Sequence, residues 1–279
     1  MTAPVIRPMT ARDLRTALDW AAGEGWNPGL MDDFCFATVD PDGMLIATVD
    51  DVPVGCITVV NYDAAFAFLG FYIVQADHRG RGYGMALWQA GMAHAGERLV
   101  GLDGVPAQQA NYRKSGFVYA WRNLRFAGDV QPSPPDARLV TLAGSDLDAV
   151  ADLDRAVFAA ERRGFLEAWL TADGHIALGH ISNGRIDGFG VLRPCRQGAK
   201  IGPIVAPDRA TAEALFDGLV ARWGGGTVHL DVPDANPAAM ALAEDRGFKP
   251  MFETARMYTG PAPAVDTARI FGVTTFELG

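Results

Sequence analysis

Cysteine is scarce. The 279-residue chain has three, Cys35, Cys56 and Cys195, an odd number with no C-x-x-C spacing. That excludes a disulfide framework and a cysteine-held zinc, and leaves buried thiols as the plain reading. Lysine is as rare, with Lys114, Lys200 and Lys249 among 24 basic residues, a skew toward arginine that reads as genomic base composition. Against 33 acidic residues the formal charge is −9, and no basic tract stands out, so no nucleic-acid surface is expected. The acidic balance mildly favours a cationic small substrate. No apolar run approaches the roughly 18 residues that a bilayer requires, and no basic segment followed by an apolar one opens the chain. The expectation is a cytoplasmic protein without membrane contact. His78, His94, His175, His180 and His229 show no ligand spacing, so no metal is expected either.

What is present is ordinary globular material, 49% hydrophobic and 20% charged, in a length that favours two domains over one. Residues 129–137, DVQPSPPDA, hold three of the 17 prolines and read as a linker between domains at 1–128 and 138–279. Both halves begin alike. Residues 5–8 read as a strand, followed by Thr10-x-x-Asp13 as a capping box; Ala137–Leu142 reads as a strand, followed by Ser145-x-x-Asp148. Both also end alike, in NYRKSGF near Phe117 and LAEDRGF near Phe248, after nearly equal spans. Matching start and stop signals point to a duplicated unit. Within the first unit, strands are expected at 44–49, 54–61, 66–75 and 98–103, with a turn at Asp51-Val52-Pro53 and helices at 85–95 and 107–115, a mixed α/β order.

The sharpest chemical signal is FLGFYIVQADHRGRGYGMALWQAG, a buried strand, a loop with Gly80, Gly82 and Gly84, and a helix. A glycine-rich turn at a helix N-terminus offers unpaired N–H groups and the positive end of the helix dipole to an anion. Walker A is excluded because no Gly-Lys-Ser/Thr follows, and the glycines run GxGxG rather than GxGxxG. Arg79 and Arg81 add positive charge in an acidic protein. A plain strand-to-helix turn with solvated arginines is the alternative.

Arg79-x-x-Gly82-x-Gly84 resembles the R/Q-x-x-G-x-G/A motif of the GCN5-related N-acetyltransferases (GNAT), and Tyr112-x-x-x-Gly116-Phe117 resembles that family's Tyr-x-x-x-Gly-Phe. The resemblance covers residues 5–128 in order. EGWNPG and GLDGVPAQQANY further resemble a bacterial subgroup with a second GNAT-like domain. The resemblance implies two tandem domains, each a mixed, mostly antiparallel twisted sheet flanked by helices. It also implies an acetyl-CoA site, with the N–H groups of Gly80, Arg81, Gly82, Tyr83 and Gly84 on the pyrophosphate and pantetheine beside Tyr72, Ile73 and Val74. N–H groups near Ile73 or Val74 would polarise the thioester carbonyl. Tyr112 would be the general acid for the departing thiolate, in a direct attack by an amine without a covalent enzyme intermediate. A tyrosine packed under the Gly-Phe turn is the alternative. The family often has Asn seven residues before this tyrosine; here it is Val105, with Gln108, Gln109 and Asn111 as substitute amides nearby.

An attacking amine must be neutral, which calls for a base. Glu24, Asp32 and Asp33 in AAGEGWNPGLMDD fall where the family's substrate-facing loop lies, and Trp26 and Asn27 could line the same pocket, the indole suiting an alkylammonium. Solvated loop residues, with Trp26 in the core, are the alternative. Acceptors left open are a small amine, an antibiotic, an amino acid or a protein N-terminus. The function so read is N-acetyl transfer from acetyl-CoA; a CoA-binding regulatory or scaffold protein without transfer is the alternative.

The second unit looks degenerate. With Ala214-Leu215-Phe216 laid on Ala86-Leu87-Trp88, Asp208-Arg209-Ala210-Thr211-Ala212 falls under the glycine loop, so both key glycines are alanine and an acid enters the cradle. Seven residues after Asn236 stands Ala243 where a tyrosine would be expected. Closing the first unit's substrate channel, or binding a partner, are its expected roles. A pocket at Gly202-Pro203 and Arg256-Met257-Tyr258 is one possibility, and the tail RIFGVTTFELG reads as a final strand on either sheet.

Overall fold

Both halves of the chain fold into the same succession of elements; the computed structural model describes residues 3–134 and 136–279. The first half runs β1 (Val5–Pro8), α1 (Ala11–Gly23), α2 (Asp32–Phe36), β2 (Met44–Val49), β3 (Val52–Asn61), β4 (Phe66–Val74), α3 (Tyr83–Ala95), β5 (Leu99–Gly104), α4 (Gln109–Lys114) and β6 (Val118–Val130). The second runs β7 (Leu139–Thr141), α5 (Leu147–Arg155), α6 (Arg163–Thr171), β8 (Ile176–Ser182), β9 (Arg185–Pro194), β10 (Ala199–Val205), α7 (Arg209–Trp223), β11 (Gly226–Pro233), α8 (Pro237–Asp245) and β12 (Lys249–Tyr258), and adds β13 (Ile270–Gly272). Each half is a mostly antiparallel sheet flanked by helices, with parallel pairing at β4–β5 and β10–β11.

The two sheets are joined by an exchange of last strands. The order is β1-β2-β3-β4-β5-β12-β6-β11-β10-β9-β8-β7, with β13 attached to β10. Strand β12 pairs with β5 of the first half, while β6 pairs with β11 of the second and with β12 along its length. Each half therefore completes the other's sheet, and neither retains an open edge at the junction.

Local chemistry sets most boundaries. The capping box before α1 is present: the Thr10 hydroxyl accepts from the Asp13 N–H at 3.2 Å and the Asp13 carboxylate accepts from the Thr10 N–H at 2.8 Å. Leu14, Ala17, Leu18 and Ala21 then bury one face. The second box differs from expectation. A short 3-10 turn at Gly144–Asp146 precedes α5, and it is Asp146, not Asp148, whose carboxylate accepts from the Ala143 N–H. The β2–β3 turn also sits one residue early, on Asp50 and Asp51, both with positive φ (50° and 63°), the conformation that matches strand twist in a two-residue hairpin. Val52 and Pro53 belong to β3. The expected linker starts late: Asp129 and Val130 pair with Thr227 and Gly226 as the end of β6. Pro135 lies outside the described residues.

Between the halves, α1 and α2 meet α5 and α6 in one shared apolar core. Phe36 stacks on Trp169, ring centroids 6.4 Å apart and 10° from parallel. Two outer cores lie on the opposite faces, one under α3 and one under α7 and α8. No described helix is long and apolar enough to cross a membrane.

Candidate active site

The site begins where β4 and β5 part. Their parallel pairing runs from Phe66–Leu99 to Leu69–Leu102 and stops there. Just beyond, β4 bulges: Gly70 and Ile73 pair with Thr58 and Cys56, so Phe71 and Tyr72 together oppose Ile57. Phe71 takes a left-handed φ of 45°, and its buried ring is fixed against Phe36 (5.8 Å) and Trp26 (6.4 Å). The Cys56 thiol donates to the Phe71 carbonyl at 3.1 Å. The divergence opens a cavity of about 380 Å³ lined by Tyr72, Ile73 and Val74 of β4 and by Tyr112 of α4.

Arg79 lines the cavity, and the glycine loop and the start of α3 follow it in the chain; Gly80, Arg81, Gly82, Tyr83 and Gly84 are not themselves among the lining residues. Gly82 is the N-cap residue with φ 85°, and no side chain caps the helix, so its first N–H groups have no intrahelical partner. A Cβ at Gly82 would meet nothing within 4 Å; glycine is required there by the backbone angle, not by crowding. The loop and α3 terminus thus have the chemistry of an anion cradle, which a CoA pyrophosphate would suit. The Arg79 guanidinium donates to the Val74 carbonyl and to Glu24 Oε1, both at 2.8 Å, which fixes the loop to β4. Arg81 is exposed, and the Tyr83 ring is buried in the outer core.

Tyr112 is placed by aromatic packing. Its ring stacks on Trp88 at 5.8 Å, and Trp88 in turn packs on Tyr72 at 5.6 Å. Burial, reinforced by the neighbouring Tyr72, pushes the Tyr112 phenol up to about 12, so it stays protonated through neutral pH. Burial raises Tyr72 as well. Val105 lines the cavity in place of an amide, and Gln108, which accepts from Asn111 Nδ2 at 2.8 Å, lies on the same wall.

The second half contributes to the same cavity. Phe252 and Thr254 come from β12, and Phe276 and Glu277 from the segment after β13. This C-terminal segment is buried throughout and crosses against Gly70, where a Cβ would come within 2.1 Å of the Glu277 carbonyl oxygen. The Tyr62 hydroxyl donates to the Leu278 carbonyl at 2.7 Å and Arg162 Nη1 to the Gly279 carbonyl at 2.9 Å. Asp103 lines the cavity from β5, but is held by both arms of Arg256 (2.7 and 2.9 Å) and by Asn123. Glu277 is 4% exposed, and among the described residues its carboxylate has no hydrogen bond or ion pair.

The structure brings Trp26 and Glu24 to the cavity but not Asn27 or Asp32. Asn27 is locked to Gln197 of the second half by two hydrogen bonds of 2.9 Å. Asp32 is buried, accepts from the Gly29 N–H at 2.7 Å, and lies 3.1 Å from Arg193 Nε. Its short spacing to Arg193 is that of an ion pair without the alignment of a hydrogen bond. Asp33 sits near Arg15 on the outside of α2. Glu24 is at the cavity wall, with its charge already matched by Arg79. Sequence reasoning missed Phe252, Thr254, Phe276, Glu277 and Asp103. Glu277 left one trace, a lone acid in the otherwise uncharged FGVTTFELG.

The equivalent features of the second half are filled by the chain itself. Asp208 caps α7, accepting from the Thr211 N–H at 2.8 Å where the first half has an uncapped terminus. Strand β10 repeats the bulge, with Gly202 and Pro203 opposite Val191, but β13 pairs with Ile204 and Val205 along the edge that β4 leaves open to the cavity. Asn236 caps α8 and donates to the Ala268 and Ile270 carbonyls, holding β13 in place. Pro203 and Arg256 border a small second cavity of about 30 Å³, but Gly202, Met257 and Tyr258 do not line it.

Two family models match the chain: the acetyltransferase (GNAT) family over residues 11–117 and an acetyltransferase (GNAT) domain over residues 150–272. A holothin acyltransferase from Pseudoalteromonas sp. (strain SANK 73390) is 31% identical over 276 residues, covering 98% of this chain and 94% of that one. Among solved structures, a candidate acetyltransferase of Pyrococcus horikoshii superposes with a TM-score of 0.84 at 22% identity, covering 100% of this chain and 97% of the other. A tandem GNAT protein from the clavulanic acid biosynthesis pathway gives 0.63 at 19%, covering 93% and 100%.

Proposed function

The chain belongs to the GNAT acyltransferase family, and on that premise we propose that its first unit, residues 1–128, transfers an acetyl group from acetyl-CoA to a small primary amine. The observation that supports this reading is a cavity walled by Arg79 and the buried Tyr112, with the uncapped, glycine-led terminus of α3 following Arg79 in the chain. Bound acetyl-CoA would supply an activated thioester. The N–H groups of residues 80–84 would hold its pyrophosphate, with Arg79 and Arg81 adding charge. The β4 edge at Tyr72, Ile73 and Val74 lies beyond the pairing with β5, so pantetheine would run beside it and an N–H near Ile73 or Val74 would polarise the thioester carbonyl. Tyr112 holds a proton at its phenol oxygen for the departing sulfur. Phe252, Thr254, Phe276 and Glu277 close the far end, which favours a small acceptor over a protein terminus.

The second unit, residues 138–279, then serves as the wall of the acceptor site, its own cradle capped by Asp208 and its cleft filled by β13. The test is thiol release from acetyl-CoA with a panel of amines and, separately, with holothin, alongside a calorimetric titration with acetyl-CoA and with ATP as control. Amine-dependent CoA release with one site per chain is expected. Binding without release under any acceptor would favour a CoA-binding regulatory protein, and no binding would end the acetyltransferase reading.

A further inference from the structure

We propose that Glu277, carried into the cavity by the buried C-terminal segment, is the base that takes the proton from the attacking amine, with the acceptor seated among Trp26, Phe252 and Phe276. This rests on the acetyl-transfer reading above and adds the residue and the acceptor class to it. Four features of the structure carry it. Glu277 lines the same cavity as Tyr112, from the end that the second half supplies. It is almost fully buried, yet no described group bonds to its carboxylate, which a purely structural acid at this depth would require. The other acids at the cavity are engaged: Glu24 by Arg79, Asp103 by Arg256 and Asn123. Trp26, Phe252 and Phe276 line the same cavity as the acid; Arg125 already lies over the two phenylalanine rings, so they serve as apolar walls that desolvate an organic ammonium, and Trp26 offers it an aromatic face.

The charged groups around Glu277 come from every neighbouring element. Arg125 on β6, Arg193 on β9 and Lys200 on β10 are the cations, and Asp32 on α2 is the acid; Asp231 on β11 acts on Arg125. Arg125 is held bidentately by Asp231 and Arg193 is paired with Asp32, while among the described residues Lys200 reaches only the Trp26 carbonyl, at 3.4 Å. Burial raises the Glu277 carboxyl above its usual range, against the pull of Lys200 and Arg125, which suits a group that must take a proton near neutral pH.

The proton balance closes. An ammonium gives one proton to Glu277 and becomes the nucleophile. As its nitrogen bonds the acyl carbon and the carbon–sulfur bond breaks, the electron pair leaves on sulfur, which takes the Tyr112 proton. The nitrogen's surplus proton goes through solvent to reload Tyr112, and Glu277 returns its own to solvent, so one proton is released per turnover.

The experiment compares wild type, Glu277→Gln and Glu277→Asp on two acceptors, a basic alkylamine and an aromatic amine that is already neutral at pH 7. Acetyl-CoA affinity and melting temperature are measured alongside. Wild-type turnover tests acetyl transfer itself, so its failure is separate from failure of the base. Glu277→Gln should lose roughly 100-fold or more in kcat/KM with the alkylamine and no more than about threefold with the aromatic amine. Its acid limb should move toward the alkylamine's own pKa, acetyl-CoA binding should be unchanged, and Glu277→Asp should keep the wild-type pH profile at reduced rate. Equal losses on both acceptors would make Glu277 a charge partner of Lys200 and overturn the assignment, as would full activity of the Gln variant.

Discussion

Arg193 and Asp32 form a buried ion pair between the halves, guanidinium Nε 3.1 Å from carboxylate Oδ1, with the arginine 0% and the aspartate 1% exposed. The guanidinium also lies 4.5 Å from the Trp169 ring. Removing one partner leaves an uncompensated charge in the interior, so Asp32→Ala should cost about 3–5 kcal/mol in urea unfolding. Acetyl-CoA affinity of the folded fraction should hardly move. Unchanged stability with a lost amine KM would instead restore Asp32 to the substrate.

Tyr112→Phe keeps the ring that stacks on Trp88 and removes only the phenolic proton. Turnover should fall roughly 100- to 10,000-fold while the acetyl-CoA Kd stays within a few fold. Calorimetry with steady-state kinetics separates the two, and full activity in the variant would remove Tyr112 from the chemistry.

Gly82→Ala puts a Cβ on a residue with φ 85°. The strain of about 1–2 kcal/mol falls on the loop that the acetyl-CoA proposal assigns to the phosphates. A weaker acetyl-CoA Kd, by roughly tenfold, is the expected result. Since open space surrounds the added methyl, the global melting temperature should change little.

Asp208 occupies the terminus of α7 with its own carboxylate. Asp208→Ala should cost about 1 kcal/mol as a lost N-cap and should not create a second acetyl-CoA site, because β13 still fills the cleft. A titration reaching two sites per chain, in wild type or variant, would contradict the self-filled second half.

Burial lowers His175 to about 4, opposed by its hydrogen bond to the Trp169 carbonyl. Between pH 6.5, where the unfolded histidine titrates, and about 4, the unfolded chain binds a proton that the folded one does not. Stability should therefore be level above pH 6.5 from this group and fall by up to about 3 kcal/mol as pH drops to 4. His175→Asn should flatten that slope in a pH series of denaturant melts.

Most of the near-neighbour structure was legible because it is set by near-neighbour chemistry. The capping box at Thr10 and Asp13, the glycine loop, and the helix that carries Tyr112 are written in a few adjacent residues each. The boundary errors have equally local causes. Asp50-Asp51, with positive φ, made the turn that was expected on Asp51-Val52-Pro53, and Asp146 capped from a 3-10 turn where an α-helical box was expected. Asn27 and Asp32 were placed at the substrate because their loop faces the cavity in part; Gln197 and Arg193, far along the chain, claim both side chains.

The sequence by itself determined the family, the duplicated succession of elements, and the local form of the glycine loop and the tyrosine helix, since each depends on side chains within a turn or two of one another. The tertiary structure decided the rest. Only folding showed that β6 and β12 change places, that β13 lies in the second cleft, and that Glu277 enters the first. The pairings that join the halves and the buried Arg193–Asp32 match are made between residues roughly a hundred or more positions apart, and the free energy that selects them comes from apolar burial between the halves, which leaves no local pattern to read.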